Sequence, residues 1–338
     1  MNTYNGRSDG KTFTSIWLTF VALSTLPVLA SLFVTIHPLF DSLADIRIPL
    51  ALFTIITAIP LNFTKARRYS LMLTIFACII ISLSLNSGGL LPKPALATRP
   101  TFKLLQVNLR FDNNTPEKLL ALIQDEKPDI ITLQEASARW RDFFKQHGLT
   151  VIGCVADNDR AGATGFILSD RFLSLSGFSA SPVLTCYNAS STQGYVAKVK
   201  LRPEKTGRFS LDIISAHLSW PWPFGQNLQM DELQNGTFKN ELANDNSARI
   251  VAGDFNSVTW SNTVSRMEEL TATRHLSGIG PTWLSYRFPN SLRPYLGLPI
   301  DQILLSSQFD PVKVTRLPFF GSDHLPVMVE FQFNDDLN

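Results

Sequence analysis

Three long stretches without charged side chains dominate the first hundred residues of this chain. They cover residues 12–40, 48–64 and 69–92, and positions 1–100 contain only eleven charged residues. A helix needs roughly 20 apolar residues to cross a bilayer. The pattern therefore predicts three transmembrane helices in a membrane anchor of residues 1–92. The second stretch is short and contains Pro49 and Pro60, so a kinked or re-entrant segment is the alternative.

Positive charge in the connecting segments indicates how this anchor is oriented. Lys65, Arg67 and Arg68 separate the second stretch from the third, and Lys and Arg in short loops favour the cytoplasmic side. With this loop inside, three crossings place residues 101–338 outside the cytoplasm. We therefore expect an integral protein of a bacterial inner membrane with an extracytoplasmic domain. A re-entrant second segment would place the same domain in the cytoplasm.

Beyond the anchor, short apolar runs alternate with amphipathic segments. Residues 93–100 follow a stretch rich in Gly and Pro and are predicted to be a linker. Residues 101–338 are predicted to form one α/β domain, in which two mixed sheets pack face to face with helices outside. Helices are predicted at 116–126 and 226–242. The predicted strands are 102–108, 129–134, 165–168, 195–201, 209–216, 249–253, 300–305 and 327–333.

Net charge argues against one class of function for this domain, and the positions of the cysteines allow a disulfide within it. From residue 101 onward the chain has 22 Lys and Arg against 25 Asp and Glu, which is not the basic footprint of a generic nucleic-acid-binding protein. Cys78 falls in the third apolar stretch, whereas Cys154 and Cys186 belong to the domain that we expect outside the cytoplasm. A disulfide between them and two free, buried thiols are both compatible with the sequence.

Polar side chains stand at the boundaries of the apolar runs. Carboxylate and amide oxygens suit a hard cation such as Mg²⁺, and a carboxylate or an imidazole can accept a proton from water. Hydrolysis of a phosphoester uses both kinds of group. We expect Asp301 to be the partner of His324, and His147 and His275 to have only surface roles. The candidate site residues are Asn108, Glu135, His217, Asp254, Asn256, Asp301, Asp323 and His324.

Four short motifs, in this order, resemble the endonuclease/exonuclease/phosphatase superfamily over residues 101–331. They are Leu133-Gln134-Glu135, Gly253-Asp254-Phe255-Asn256, Ile300-Asp301-Gln302-Ile303 and Ser322-Asp323-His324. The resemblance implies a four-layered α/β sandwich, formed by two packed mixed sheets flanked by helices. It also implies a phosphoesterase that depends on Mg²⁺, with Mn²⁺ as the alternative ion.

The resemblance implies a role for each candidate residue. The metal-site residues correspond to Asn108, Glu135 and Asp323. The pair that positions or activates the attacking water corresponds to Asp254 and Asn256, and the carboxylate–imidazole dyad to Asp301 and His324. A second histidine, which contacts phosphate, corresponds to His217. The resemblance leaves open which group accepts the proton of water.

Two departures separate this chain from the abasic-site endonucleases of the superfamily. Arg110 stands where those enzymes usually have a carboxylate, and Ala216-His217-Leu218 replaces a motif that contains Tyr. The chain is therefore more similar to the sphingomyelinase and phosphatase branches. Arg110 and Arg160 are candidate phosphate-binding residues, with a surface ion pair as the alternative for Arg160.

Aromatic side chains are concentrated in two segments near these motifs. One segment is Ser219-Trp220-Pro221-Trp222-Pro223-Phe224, and the other includes Trp283, Tyr286, Phe288 and Tyr295. Aromatic loops beside a catalytic His can stack on a base, cover a sugar or enter a lipid headgroup layer. Packing of a long loop in the core is the alternative for both segments.

Three functional hypotheses follow. We favour a membrane-tethered phosphodiesterase that acts on extracytoplasmic phosphoesters, such as lipid headgroups, because tethering raises the effective concentration of such substrates. An exported nuclease that degrades DNA or RNA is the alternative and requires a basic groove around the site. A noncatalytic sensor of phosphorylated ligands requires an incomplete site. The expected partners are the lipid bilayer and the phosphoester substrate, and no protein partner is expected.

Overall fold

The chain folds into two compact units, which divide between Ser87 and Gly88. The computed structural model describes residues 6–154, 163–188, 195–205, 209–243 and 247–334. The first unit is helical. Its elements are α1 (Gly6–Ser24), α2 (Leu26–Ala30), α3 (Pro38–Asp45), α4 (Arg47–Ala58), a 3-10 turn at Ile59–Phe63, and α5 (Arg67–Leu85).

The prediction of three transmembrane helices is not confirmed. Among the described residues, two helical stretches, Thr12–Ala30 and Arg67–Leu85, are long and apolar enough to cross a membrane. The predicted second span qualifies only as a pair, Pro38–Asp45 with Arg47–Phe63, which is bent by 67°. The bend lies at Ile46, whose backbone is not helical (φ −106°, ψ 15°).

The second unit contains two six-stranded mixed sheets. The first sheet has the order β11-β12-β1-β2-β4-β3 and the second has the order β5-β6-β7-β8-β10-β9. Strand β1 runs parallel to β2, and β7 runs parallel to β8. The strands are β1 (Phe102–Asn108), β2 (Ile130–Gln134), β3 (Ile152–Cys154), β4 (Thr164–Leu168), β5 (Val183–Asn188), β6 (Tyr195–Leu201), β7 (Leu211–His217), β8 (Ala248–Asp254), β9 (Arg274–His275), β10 (Asp301–Leu305), β11 (Phe309–Arg316) and β12 (Val327–Phe333).

Alternating side chains pack the two sheets face to face and cover each outer face with helices. In β1, Leu104 belongs to the core between the sheets, together with Ile213 and Ile250 of the second sheet. Its neighbour Leu105 belongs instead to the outer core of the first sheet. This confirms the predicted arrangement of packed mixed sheets flanked by helices. The helices are α6 (Pro116–Glu126), α7 (Ala138–Gln146), α8 (Asp170–Ser176), α9 (Gln226–Asn235), α10 (Thr237–Ala243), α11 (Asn262–Thr271) and α12 (Arg293–Leu296).

The outer helices differ in part from the prediction. The helix predicted at 116–126 is α6, with the same bounds. The continuous helix predicted at 226–242 is wrong, because two helices, α9 and α10, meet at Gly236. Glycine carries a high entropic cost within a helix, and a Cβ at position 236 would lie 2.6 Å from the carbonyl oxygen of Glu232.

All eight predicted strands are present, but four strands at or near the sheet edges were not predicted. Strand β9 has only two residues, and β3 has three. Strand β11 contains Pro311, where its register with β12 shifts. Strands β3 and β9 are too short for a period of two to be recognised, and the proline interrupts the pattern of β11. Neither reason applies to β5, which has six residues.

The segment predicted as a linker makes hydrogen bonds within the second unit. The backbone N–H of Lys93 donates to the carbonyl of Pro311 (2.7 Å), and that of Leu96 donates to Oε1 of Gln332 (2.8 Å). Arg99 donates from Nη1 to the carbonyl of Phe333 (3.1 Å). These contacts place the segment beside the C-terminal end of β12.

The expectation of a surface role for His275 is wrong. Its side chain is buried, and its Nδ1 atom lies 2.8 Å from Oε1 of Glu268. Gly89 packs against the imidazole ring, and the N–H of Leu90 donates to the carbonyl of His275 (2.7 Å). The burial comes from a chain segment 185 positions away, which local sequence cannot indicate. His147 is exposed, as expected.

A disulfide joins Cys154 to Cys186, with their Cα atoms 5.8 Å apart. Cys154 ends β3 in the first sheet, and Cys186 lies in β5 of the second sheet. Of the two alternatives for this pair, the structure therefore has the disulfide. The bond links the two sheets at one side of the sandwich. Cys78 is a free cysteine.

Candidate active site

The candidate residues meet because of the directions in which the strands run. Asn108 ends β1 opposite Gln134 at the end of β2, and His217 ends β7 opposite Asp254 at the end of β8. Asp301 begins the antiparallel strand β10 and pairs with Asp254. The antiparallel strand β12 begins beside Gln106, near the end of β1. The parallel strands end where the antiparallel strands begin, so the predicted side chains lie together at one end of the sandwich.

The backbone bends sharply where three of these strands end. Arg110, Glu135 and Asn256 have φ angles of 55°, 55° and 49°. This left-handed conformation is unfavourable for Arg and Glu and better tolerated by Asn. Residues kept in such conformations cluster at functional sites, where the surrounding structure offsets a cost of order 1–3 kcal/mol each. The bends turn the chain immediately after the strand instead of extending it into solvent.

Asn108 connects the carboxylates of the two sheets. Its Nδ2 atom donates to Oε1 of Glu135 (3.2 Å) and to Oδ2 of Asp254 (3.0 Å). The second oxygen of Glu135 accepts a hydrogen bond from the backbone N–H of Phe111 (2.9 Å). Glu135 of the first sheet and Asp254 of the second sheet are therefore held on either side of one amide.

The predicted dyad of Asp301 and His324 is present. Nδ1 of His324 lies 2.8 Å from Oδ2 of Asp301, and Nε2 of the same ring lies 3.5 Å from Oδ2 of Asp254. His217 also turns its Nε2 atom toward Oδ2 of Asp254, at 3.6 Å. Both imidazole rings are buried. One oxygen of Asp254 is thus close to two histidines and to Asn108.

Burial and neighbouring charges determine the protonation of this group. Burial raises the pKa of Asp254, an effect that the positive charge of His324 opposes and the negative charge of Asp301 reinforces. Burial alone lowers the pKa of His324, but Asp301 and Asp254 outweigh it and raise the pKa to about 10. Each ring nitrogen of His324 faces a carboxylate, which favours the imidazolium form.

Asp323 and Asn256 complete the set of candidate residues. Oδ2 of Asp323 accepts a hydrogen bond from Nε1 of Trp283 (3.2 Å). Asn256 donates from its backbone N–H to Oδ1 of Asp254 (2.9 Å) and from Nδ2 to the carbonyl of Leu218 (2.8 Å). These contacts fix the orientation of the Asn256 amide. The individual catalytic roles of all eight residues stay predictions.

The donor set fits a hard divalent cation. Glu135 and Asp323 are only half-buried, and with the amide of Asn108 they offer the oxygen donors that Mg²⁺ prefers. In the described part of the chain, Asp254, Asp301 and His324 also have ligand atoms within 4.8 Å of one another. In that trio, however, both oxygens of Asp301 already accept hydrogen bonds. Both oxygens of Glu135 accept hydrogen bonds as well, so Glu135 and Asp323 differ from the trio in being only half-buried.

Sequence reasoning missed a polar layer beneath the site. Gln106 donates from Nε2 to Oδ1 of Asp301 (2.9 Å) and to Oε1 of Gln134 (2.9 Å). Gln134 in turn donates to Oγ of Ser215 in the second sheet (3.0 Å). All three residues are buried. Their signal in the sequence is a polar residue within an apolar strand, which indicates a buried hydrogen bond but not its partner.

The candidate phosphate-binding arginines have different outcomes. Arg110 is held by Asp112, with its Nε atom 2.7 Å from Oδ1, and its guanidinium lies 4.5 Å from the ring centroid of Tyr286. Arg160 lies outside the described residues. Arg110 is therefore near the site but already paired with a carboxylate.

Exposed aromatic rings lie near one side of the site. Trp220 is 52% exposed, and its ring centroid lies 5.8 Å from that of Trp283 in an edge-to-face contact. Trp222, Phe224 and Tyr286 are also exposed. Core packing, the alternative for these segments, is therefore wrong for these side chains. The rings form a partly apolar border beside the candidate carboxylates.

A two-sheet α/β sandwich with carboxylates, amides and histidines at one end defines the class of metal-dependent phosphoester hydrolases. The chain belongs to the endonuclease/exonuclease/phosphatase family, whose model matches residues 105–324. Members of this family hydrolyse phosphoester bonds, and the chain is an enzyme of this kind. The hypothesis of a noncatalytic sensor is therefore set aside.

Solved structures share this fold. An endonuclease/exonuclease/phosphatase from Bacteroides vulgatus has a TM-score of 0.55 and 14% identity, covering 70% of this chain and 100% of that chain. The mannosyl-6-phosphatase of Bacteroides thetaiotaomicron has a TM-score of 0.53 and 16% identity, covering 69% and 100%. The human Nocturnin catalytic domain with bound sulfate has a TM-score of 0.52 and 16% identity, covering 70% and 94%. A search of curated proteins found no significant match.

Proposed function

We propose that this protein is a membrane-tethered, Mg²⁺-dependent phosphodiester hydrolase that acts on extracytoplasmic substrates. The observation that carries the proposal is the convergence of Asn108, Glu135, Asp254 and the Asp301–His324 dyad at one end of both sheets. When bound, the divalent cation supplies positive charge for the phosphate and for the departing oxygen.

The other steps of hydrolysis are assigned to protein side chains. Asp254 is positioned by Asn108 and Asn256, and we assign it to hold the attacking water and accept its proton. His324 has a carboxylate at each ring nitrogen, so it serves as a cation next to the phosphoryl oxygens. His217 approaches the same oxygen of Asp254 from another strand and is assigned to contact the phosphate.

The anchoring of the enzyme is proposed from the first unit. Helix α5 exposes a row of large apolar side chains, including Leu71, Met72, Ile75, Ile79 and Leu83, each at least half exposed. Such a surface is unfavourable in water and favourable in lipid. The Cys154–Cys186 disulfide supports an oxidising location for the second unit, since disulfides are rare in the reducing cytoplasm.

The aromatic border favours substrates that carry a ring or an apolar group next to the phosphate. Lipid headgroups are one such class, since aromatic side chains also favour the membrane interface. Nucleic acid is the second candidate, because exposed rings such as Trp220 and Tyr286 are suited to stacking on bases. A substrate panel that compares lipid, DNA and RNA distinguishes the two.

The test is hydrolysis by the full-length chain in detergent. We expect bis-p-nitrophenyl phosphate to be cleaved with Mg²⁺ or Mn²⁺, and we expect activity to stop with a chelator and return with added metal. The substitution His324→Gln should reduce kcat by about 10²-fold or more, because it removes a positively charged side chain next to the phosphate. His147→Gln, at an exposed histidine, is the matched control and should leave activity unchanged. An inert wild-type chain across diester, monoester, lipid and nucleic-acid substrates would overturn the proposal.

A further inference from the structure

Arg293 is a buried arginine close to the candidate active site. It begins the short helix α12 in the segment between β9 and β10, and its side chain is only 3% exposed. Within the part of the chain that the structure describes, neither its Nε nor its Nη1 atom has a hydrogen-bond partner. Two of the three guanidinium nitrogens have therefore been removed from water without the hydrogen bonds that usually replace it.

The surroundings of Arg293 belong to the wall of the site. Its guanidinium lies 5.6 Å from the ring centroid of Phe319. Burial lowers the pKa of Arg293, and the negative charges of Asp323 and Asp301 act against that effect. The same loop carries Trp283, which donates to Asp323. Arg293 is thus within electrostatic reach of two candidate catalytic carboxylates.

Arg249, another buried arginine of this chain, has hydrogen bonds at both of its terminal nitrogens. Arg249 donates from Nη2 to the carbonyl of Leu242 (2.7 Å) and from Nη1 to the carbonyl of Thr271 (3.2 Å). Arg110, the other arginine at the site, is paired with Asp112. A buried cation without comparable hydrogen bonds costs free energy in the unliganded fold. An anionic ligand offsets that cost when it binds.

We propose that Arg293 is a substrate-binding residue whose guanidinium contacts the phosphoryl group. The proposal rests on the function proposed above and adds the residue that recognises the anionic part of the substrate. The site contains the carboxylates of Glu135, Asp254, Asp301 and Asp323, which repel a phosphate. In this proposal Arg293 adds to the positive charge that the metal and His324 supply. Phe319, whose ring lies next to the guanidinium, is 43% exposed, and the proposal requires this ring to move aside when the phosphoryl group binds.

The test compares Arg293→Gln and Arg293→Lys with Arg287→Gln, a matched control at an exposed arginine of the same segment. Loss of a charged hydrogen bond predicts an increase of about 10-fold or more in KM and in the inhibition constant of inorganic phosphate for Arg293→Gln. Arg293→Lys should recover part of this loss, because it keeps the charge. Arg287→Gln should stay within about twofold of wild type, as expected for a surface position.

A structural role predicts a different pattern. The inference is overturned if Arg293→Gln lowers the melting temperature and kcat while KM and phosphate inhibition stay at wild-type values. Binding of inorganic phosphate, followed by calorimetry with Mg²⁺ present, tests Arg293 without relying on turnover. An inactive chain that binds phosphate through Arg293 refutes the proposed hydrolysis but supports this inference. Equal phosphate binding by wild type and Arg293→Gln, or no binding by either, refutes the inference.

Discussion

Asp254 contacts four other candidate or neighbouring groups of the site through one buried carboxylate. Its Oδ1 atom accepts the N–H of Asn256, and its Oδ2 atom accepts Nδ2 of Asn108 and lies near two imidazoles. Asp301 is another buried carboxylate of the same cluster. Like charges in a buried site are unfavourable for folding. The arrangement therefore favours catalysis at some cost in stability, as active sites commonly do.

The substitution Asp254→Asn separates these two effects. Because the folded state raises the pKa of Asp254, the ionised form opposes folding at pH values above the ordinary carboxyl pKa. An uncharged amide of the same shape should therefore keep the free energy of unfolding equal or raise it by about 1 kcal/mol at pH 7. The kcat should fall by about 10²-fold or more.

Urea unfolding in the presence of chelator and steady-state kinetics with Mg²⁺ measure the two quantities. Asp231→Asn is the control, since Asp231 is 54% exposed and pairs with Arg266 on the surface. It should change neither quantity by a large factor. Retention of wild-type kcat in Asp254→Asn would contradict the role assigned to this residue.

At the scale of secondary structure, the site depends on the junction between the sheets. Gln106 and Gln134 of the first sheet hydrogen-bond to Asp301 and Ser215 of the second. Gly253 lets β8 approach β7 closely, because a Cβ at this position would come within 1.8 Å of the carbonyl oxygen of Ala216. The strands that carry the candidate residues are therefore positioned by buried contacts of residues outside the candidate set.

The disulfide between β3 and β5 links an edge strand of one sheet to an edge strand of the other and is expected to stabilise the folded domain. Replacing both Cys154 and Cys186 by Ser should lower the free energy of unfolding by about 2–4 kcal/mol, because the unfolded chain loses the constraint across their 32-residue separation. Chemical denaturation of the oxidised wild type and the double variant measures the difference. Cys78→Ser, at the free cysteine, is the control and should match wild type. Equal stability of the double variant and wild type would contradict a stabilising role.

At the scale of the whole molecule, the positive charges between the apolar helices predict on which side of the membrane the enzyme domain lies. Lys65, Arg67 and Arg68 favour a cytoplasmic loop, and the proposal places residue 338 outside the cytoplasm. An alkaline phosphatase reporter fused after Asn338 should therefore be active, and green fluorescent protein at the same position should not fluoresce. A re-entrant arrangement of the bent pair α3 and α4 predicts the reverse result.

Local patterns were sufficient to predict the central strands and the contact between Asp301 and His324. Strands β1, β6 and β12 have the bounds that their alternation predicted. The pairing of Asp301 with His324 was also predicted and is present at 2.8 Å. These features depend on side-chain alternation and short motifs, both of which are contained within a few neighbouring residues.

Other features arise only when distant segments meet. The burial of His275 under Gly89, the hydrogen bond from Gln106 to Asp301 and the isolation of Arg293 each depend on residues from different elements. The disulfide, rather than two free thiols, likewise forms because the edges of the two sheets lie side by side. Sequence periodicity reports which face of an element is apolar, whereas the partner on that face is set by packing between elements far apart in the chain.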